Sequence, residues 1–293
     1  MNSIELNAYG KINLSLDTIG KREDGYHLVR MIMQTVGLHD TITITKKEEP
    51  GIILTTNRDD LPTDENNLIY KAAHLLLDEF SIPEGVGIHL NKNIPVAAGM
   101  AGGSADCAAT LVGINRLFQL GLSQEELMKR GVTLGADVPY CILGGTAISE
   151  GIGEILTPVT DIEPCKVLLV KPDIDVSTKW VYTTLNWETL TSHPDLEGMV
   201  AALDAHSLEG VSEKLENVLE TVTIPAYPII EEIKDTMKQL GAMNAMMSGS
   251  GPTVFGLFSN EEAAQAAYES CKKIYKDFQV ELTEFVARNQ IFQ

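Results

Sequence analysis

The stretch IPVAAGMAGGSADCAAT, residues 94–110, limits what this chain can fold into more than any other. It holds three glycines, six alanines and one serine, and it follows an apolar run ended by Pro95. Backbone freedom is concentrated up to Ser104, and helical spacing then takes over, with Ala108, Leu111, Val112 and Phe118 on one side. Glycine reaches backbone angles closed to other residues and lets a ligand approach the main chain. A helix start adds unpaired N–H groups and the positive end of the helix dipole. A glycine-rich turn feeding a helix is therefore an anion site, most often for phosphate, and the alternative is a tight strand–helix turn. Gly99, Gly102, Gly103 and Ser104 fall together at the expected helix start, which favours phosphate. The two common nucleotide loops are excluded: GxxxxGK[ST] lacks its lysine here, and neither GMAGGS nor GSGPTV fits GxGxxG.

Composition narrows the class. The 293 residues are enough for two domains, and with 44% hydrophobic and 22% charged residues the chain is globular. No uncharged apolar run approaches the roughly 18 residues of a membrane-spanning helix. The N-terminus lacks a basic start followed by an apolar stretch, and the four cysteines are scattered without a CxxC pair. These features lead us to expect a cytoplasmic protein with reduced thiols, no zinc site and no membrane partner. The net charge of −19 argues against nucleic acid as partner. An anionic small molecule would need a local concentration of N–H groups and cations to oppose that field.

Along the chain, KINLSLDTIG and DTITITKK alternate as strands, and the DG of KREDGYHLV marks a turn. NNLIYKAAHLLLDEF has helical spacing, GVGIHLN reads as a strand, and Ser123 is placed to cap a short helix. KVLLVKP reads as a buried strand, PIIEEIKDTMKQLGA as an amphipathic helix closed by Gly241, and AMMSGSGPTVFGLF as strand, glycine turn, strand. A helix and a last strand follow. Texture loosens over 157–164, between Pro158 and Pro164. The expected domains are therefore 1–160 and 161–293, and the irregular mixture of strands and helices points to an α+β class.

Isolated polar residues supply the chemistry. Lys11 interrupts a strand, where the ordinary reading is a solvated face. Asp137 lies among apolar residues in LGADVPYCI, where it either caps a turn or orients and deprotonates a hydroxyl. Tyr26 and His27, beside the DG turn, suit a planar base or plug the edge of the core. A second glycine cluster, Ser248, Gly249, Ser250 and Gly251, closes a hairpin or forms the other wall of a phosphate pocket.

Three segments in this order, AYGKINLSL, PVAAGMAGGSADCAA and SGSGPTVFGL, resemble the GHMP kinase superfamily, which includes galactokinase and the homoserine and mevalonate kinases. That resemblance implies a two-domain fold. Its N-terminal domain would contain a left-handed βαβ unit, and its C-terminal domain would be ferredoxin-like. The implied activity is an ATP-dependent small-molecule kinase using Mg2+. The implied catalytic pair is Lys11 and Asp137. ATP would be held by Pro95, Val96, Ala97, Ala98, Gly99, Met100, Ala101, Gly102, Gly103 and Ser104, by Ser248, Gly249, Ser250 and Gly251, and by Asn66 and Lys92. No acidic pair identifies itself as a metal clamp, so no residue is named as a metal ligand. DGYH together with GADVP narrows the resemblance to members whose acceptor carries a diphosphocytidyl group, in a route to isoprenoid precursors. Asn13, Tyr26, His27, Thr178 and Tyr182 would then bind this acceptor, Tyr26 by stacking on cytosine and Tyr182 as a second aromatic. Other members of the superfamily, of homoserine or mevalonate type, and a non-catalytic nucleotide-binding homologue stay open as alternatives. The chain departs from the family in carrying Tyr9-Gly10 before the lysine, Met100 for leucine and Cys107 at a small-residue position.

Overall fold

The computed structural model describes residues 1–162 and 164–292. Glu163, within the stretch read as the domain boundary, and Gln293 lie outside the described residues. Two long strands, β1 (Ser3–Lys21) and β2 (His27–Lys47), form an antiparallel hairpin around the DG turn. β3 (Ile52–Thr56), α1 (Leu68–Glu79) and β4 (Gly85–Asn91) form a βαβ unit whose two strands pair in parallel. Asn67 starts α1 by accepting a hydrogen bond from the Ile69 N–H, satisfying one of the donors a helix start leaves unpaired. Next come α2 (Gly102–Leu117), α3 (Gln124–Gly131), α4 (Val138–Leu143), β5 (Thr146–Gly151) and β6 (Ile155–Pro158). Ser123 and Glu126 form a reciprocal capping box at α3.

The rest of the chain begins with β7 (Lys166–Lys171). α5 (Thr178–Thr184), α6 (Leu196–Asp204), α7 (Leu208–Glu213), the short β8 (Glu216–Asn217) and α8 (Glu220–Ala226) follow. The chain then runs through α9 (Ile229–Gln239), β9 (Asn244–Met247), β10 (Val254–Phe258), α10 (Glu261–Ile274) and β11 (Gln279–Glu284). The first sheet runs β3-β4-β2-β1-β8, with β5 on β2 and β6 on β5; the second runs β11-β7-β10-β9. Counting β7, β9, β10 and β11 as first to fourth, that second order is 4-1-3-2 and wholly antiparallel, the split βαβ arrangement of ferredoxin-like folds.

One core joins both sheets: Ile12, Leu14, Ile32 and Val36 pack in the same cluster as Leu169, Phe255, Leu257 and Phe285. Each such side chain contributes roughly 1.5–3 kcal/mol on burial. An exposed ion pair across the molecule, such as Arg30–Glu197 at 2.8 Å, is screened by solvent and adds little. Apolar packing therefore fixes the relative placement of the sheets. It also explains why β1 is buried on both faces from Gly10 to Thr18. The alternation of β1 leads one to expect a wet polar face, yet Asn13, Ser15 and Asp17 are as buried as their apolar neighbours. Among the described residues, no helix is long and apolar enough to cross a membrane, and the four cysteines are buried and unpaired.

Candidate active site

Lys11 is placed by an irregularity in β1. Tyr9 pairs with His39, but Lys11 pairs with Thr35, so the ladder slips between them. The Lys11 N–H thereby escapes the ladder and donates to the Met100 carbonyl at 3.1 Å. The departures noted at Gly10 and Met100 fit each other: a Cβ on Gly10 would stand 3.4 Å from Met100 Cε. The Lys11 side chain is buried, against the ordinary expectation for a strand lysine. Its Nζ donates to Asn13 Oδ1 at 2.7 Å and to the Gly99 carbonyl at 3.1 Å. Burial lowers the Lys11 pKa, and the carboxylate of Asp137 and the thiol of Cys141 pull it back up.

Loop 95–101 runs directly into α2. Ala97, Gly99 and Ala101 alternate at positive φ, 51°, 71° and 55°. For the two alanines this costs roughly 1–2 kcal/mol each. Ala101 occupies the N-cap of α2 and has no side chain to accept a hydrogen bond, so α2 starts uncapped by its own sequence. A strained loop feeding an uncapped helix start is arranged for an external anion.

The second glycine cluster is the turn of the β9–β10 hairpin, and it touches the first. Ser248 Oγ donates to the Gly99 carbonyl at 3.0 Å, so that one oxygen accepts from both Ser248 and Lys11. Asn217 steadies this turn by donating to the carbonyls of Met247 (2.9 Å) and Gly249 (2.8 Å). Thr178 at the start of α5 shares a 2.8 Å hydrogen bond with Ser250.

Asp137 stands at the N-cap of α4 but makes no side-chain capping bond. Its carboxylate is therefore not used for the turn-capping role that was the bland alternative. Ser104 Oγ lies 3.8 Å from where a Cβ on Gly135 would sit, which brings the α2 start beside the segment carrying Asp137. The same carboxylate, after burial, raises the Tyr182 pKa. Tyr182 in turn faces His27, ring centroids 5.3 Å apart. Burial and the charge of Lys21 lower the His27 pKa, which favours a neutral imidazole that can both donate and accept.

The structure thus gathers Lys11, Asn13, loop 95–104, Asp137, Thr178, Tyr182, His27 and the 248–251 turn about one region. It separates others. Tyr26 is 60% exposed, and its ring has no aromatic contact among the described residues; His27, not Tyr26, meets Tyr182. Asn66 is exposed and bonded to Asp64 in the turn before α1, while Leu68, two residues on, approaches Gly103. Lys92 requires a correction. The resemblance implies a direct contact with ATP, but Lys92 is buried beneath the loop between Asp40 and Asp106, because a desolvated ammonium must be paired. Sequence reading passed over Asp40, Asp106 and Asn217. Asp106 carries a signal, an acid among alanines and a cysteine in a helix; Asp40 and Asn217 carry none.

Comparison with known proteins bears on the family. The GHMP kinases N terminal domain matches residues 67–145, and the GHMP kinases C terminal domain matches 199–277. The chain is 56% identical to the 4-diphosphocytidyl-2-C-methyl-D-erythritol kinase of Lachnoclostridium phytofermentans, covering 93% of this chain and 94% of that one. It is 50% identical to the enzyme of the same name from Clostridium perfringens, over 98% of this chain and 100% of the relative. A crystal structure of 4-(cytidine 5'-diphospho)-2C-methyl-D-erythritol kinase superposes with a TM-score of 0.83 at 30% identity, covering 96% of this chain and 99% of the other. Homoserine kinase from Cytophaga hutchinsonii shares the fold, with a TM-score of 0.78 at 19% identity and coverage of 98% and 95%. The chain belongs to the GHMP kinase family.

Proposed function

We propose that this kinase transfers the γ-phosphoryl group of ATP to the 2-hydroxyl of 4-diphosphocytidyl-2-C-methyl-D-erythritol, releasing ADP and the 2-phosphate, in the methylerythritol phosphate route to isoprenoid precursors. The observation that carries the reading is the position of Lys11: its ammonium is bonded to the phosphate loop at Gly99 and balanced by Asp137. Phosphoryl transfer passes through a loose transition state, so positioning and electrostatics supply most of the catalysis. The loop and the α2 start hold the triphosphate. Asp137 accepts or orients the acceptor hydroxyl proton. Lys11 keeps Asp137 ionised and offsets charge on the transferring group. Asn13, fixed by Lys11 and by Met31 Sδ at 3.1 Å, positions the acceptor.

The described residues contain no group of three or more acidic, histidine or cysteine side chains able to hold a metal. Mg2+ would arrive on the nucleotide phosphates, its usual habit in kinases. When bound, the ion neutralises phosphate charge.

His27 and Tyr182 supply an aromatic and hydrogen-bonding wall for cytosine beside Asp137, with exposed Tyr26 free to close over it. With rings 5.3 Å apart, no base fits between His27 and Tyr182; stacked layers at about 3.5 Å would need about 7 Å. The base therefore lies against one side of this pair. The test is ADP release with Mg-ATP and the diphosphocytidyl acceptor, mevalonate, phosphomevalonate or homoserine. Turnover with the cytidine compound alone is expected, and turnover with another acceptor alone would discard the assignment. In the Tyr182→Ala variant the acceptor KM should rise about tenfold or more, since base–aromatic stacking contributes about 1–3 kcal/mol. An unchanged acceptor KM would remove Tyr182 from the base site.

A further inference from the structure

Beneath the phosphate loop lies a buried charge cluster that phosphoryl transfer does not itself use. Asp40 of β2 is fully buried. Its Oδ1 accepts from the backbone N–H groups of Asn93 (2.5 Å) and Ile94 (2.8 Å), and its Oδ2 from Lys92 Nζ at 2.5 Å. Lys92 Nζ also donates to Asp106 Oδ2, on α2, at 2.7 Å. One carboxylate on the sheet therefore holds the chain entering the loop, and one ammonium carries that hold across to the helix leaving it. Loop 95–101 is suspended between the two. A Cβ on Gly102 would stand 2.9 Å from the ammonium, so only glycine lets Lys92 lie this close under the helix start. The other oxygen of Asp106, Oδ1, is buried and has no hydrogen-bond partner.

We propose that Asp40, Lys92 and Asp106 are positioning residues for the nucleotide, which set the placement of the phosphate loop and the net charge beneath it and so govern ATP affinity rather than the transfer step. The inference rests on reading Pro95–Ser104 as the loop that takes the ATP phosphates. Its physical basis is charge arithmetic in a desolvated place. With Asp106 protonated, the cluster is neutral. With Asp106 ionised, one net negative charge lies under the α2 start and opposes the helix dipole that attracts phosphate. Burial pushes the Asp106 pKa up to about 8, against the pull of Lys92 and with the push of Asp40, so both states occur near neutral pH. The two thiols at α2 stay protonated in this range. Cys107 on α2 is pushed up to about 12 by burial, and burial also raises Cys141 of α4. Lys11 of β1 is turned to Asn13 and Gly99, while Lys71, His74 and Asp78 of α1 and Glu125 and Lys129 of α3 are exposed.

The experiment measures kcat, the KM for Mg-ATP and the KM for the acceptor from pH 6.5 to 9.5, with calorimetric binding of Mg-ADP, for the full chain and for Asp106→Asn and Lys92→Met. In the wild type the Mg-ATP KM should climb about three- to tenfold above pH 8 with little change in acceptor KM. Asp106→Asn should keep kcat within about twofold and flatten that climb. Lys92→Met should weaken Mg-ADP binding tenfold or more. If Lys92→Met fails to fold, Asp106→Asn alone decides. An Asp106→Asn profile that overlays the wild type, or a fall in kcat and acceptor affinity together with ATP affinity, overturns the inference while leaving the functional reading intact. Failure of the wild-type chain to bind Mg-ADP at all overturns the functional reading instead, and the inference with it.

Discussion

Asp137→Asn should lower kcat by about 10²–10⁴-fold, the range over which a positioned acid or base acts, while the Mg-ATP KM stays within about threefold. The carboxylate makes no capping bond, so its amide replacement leaves α4 intact and the melting temperature near that of the wild type. The effect thus reports on chemistry and not on folding. Lys11→Met should lose a similar factor through the transition state, and here the loop also loses a donor to the Gly99 carbonyl. A pH profile separates the two roles. Burial lowers the Lys11 pKa from 10.5 and Asp137 opposes that shift. The protonated lysine is the active form, so kcat should fall on the alkaline side before pH 10.5 is reached. Removing the Asp137 charge takes away the influence that holds the proton on Lys11. The residual activity of Asp137→Asn should therefore fall away at a lower pH than the wild type does. Full turnover in Asp137→Asn, or an alkaline limb displaced upward, contradicts these roles.

The sequence-based reading was strongest where a feature is local in the chain. The DG turn, the spacing of α1, the Ser123 cap and the strand–turn–strand around Gly249 all rest on neighbours within a few residues, and each element is present. The glycine-rich turn into α2 is legible for the same reason. What escaped depends on partners far apart in the chain. Lys92 reads as an available cation, but its acids lie 52 and 14 positions away. Nothing near Asn217 announces that it holds carbonyls 30 and 32 residues on. The polar face of β1 reads as wet because alternation gives which residues share a face but not what covers that face. Here Asn13 is covered by Met31 and Asp17 by His193, and the buried Lys11 bonds the Gly99 carbonyl of the loop.

Gly99→Ala should be among the most damaging single substitutions in the chain, and Gly103→Ala, four residues away, should not destabilise the fold. A Cβ on Gly99 would lie 2.1 Å from the Ser248 carbonyl oxygen and 3.2 Å from the Gly251 nitrogen, at a φ of +71°. These neighbours are backbone and cannot swing aside. The loops must separate, breaking the shared contact at the Gly99 carbonyl that also anchors Lys11. The expected cost is about 3 kcal/mol or more from overpacking and left-handed strain. That cost lowers the melting temperature by about 5 °C or more, and nucleotide binding is lost with it. At Gly103, by contrast, a Cβ would meet nothing nearer than Leu68 Cδ1 at 3.8 Å. Alanine is the better helix former by about 1 kcal/mol, so Gly103→Ala should melt at or slightly above the wild-type temperature. The protein itself has room for that methyl group. If Gly103→Ala nevertheless raises the Mg-ATP KM tenfold or more, the space above Gly103 belongs to the nucleotide. If its KM is unchanged, the phosphates do not pass over the first turn of α2.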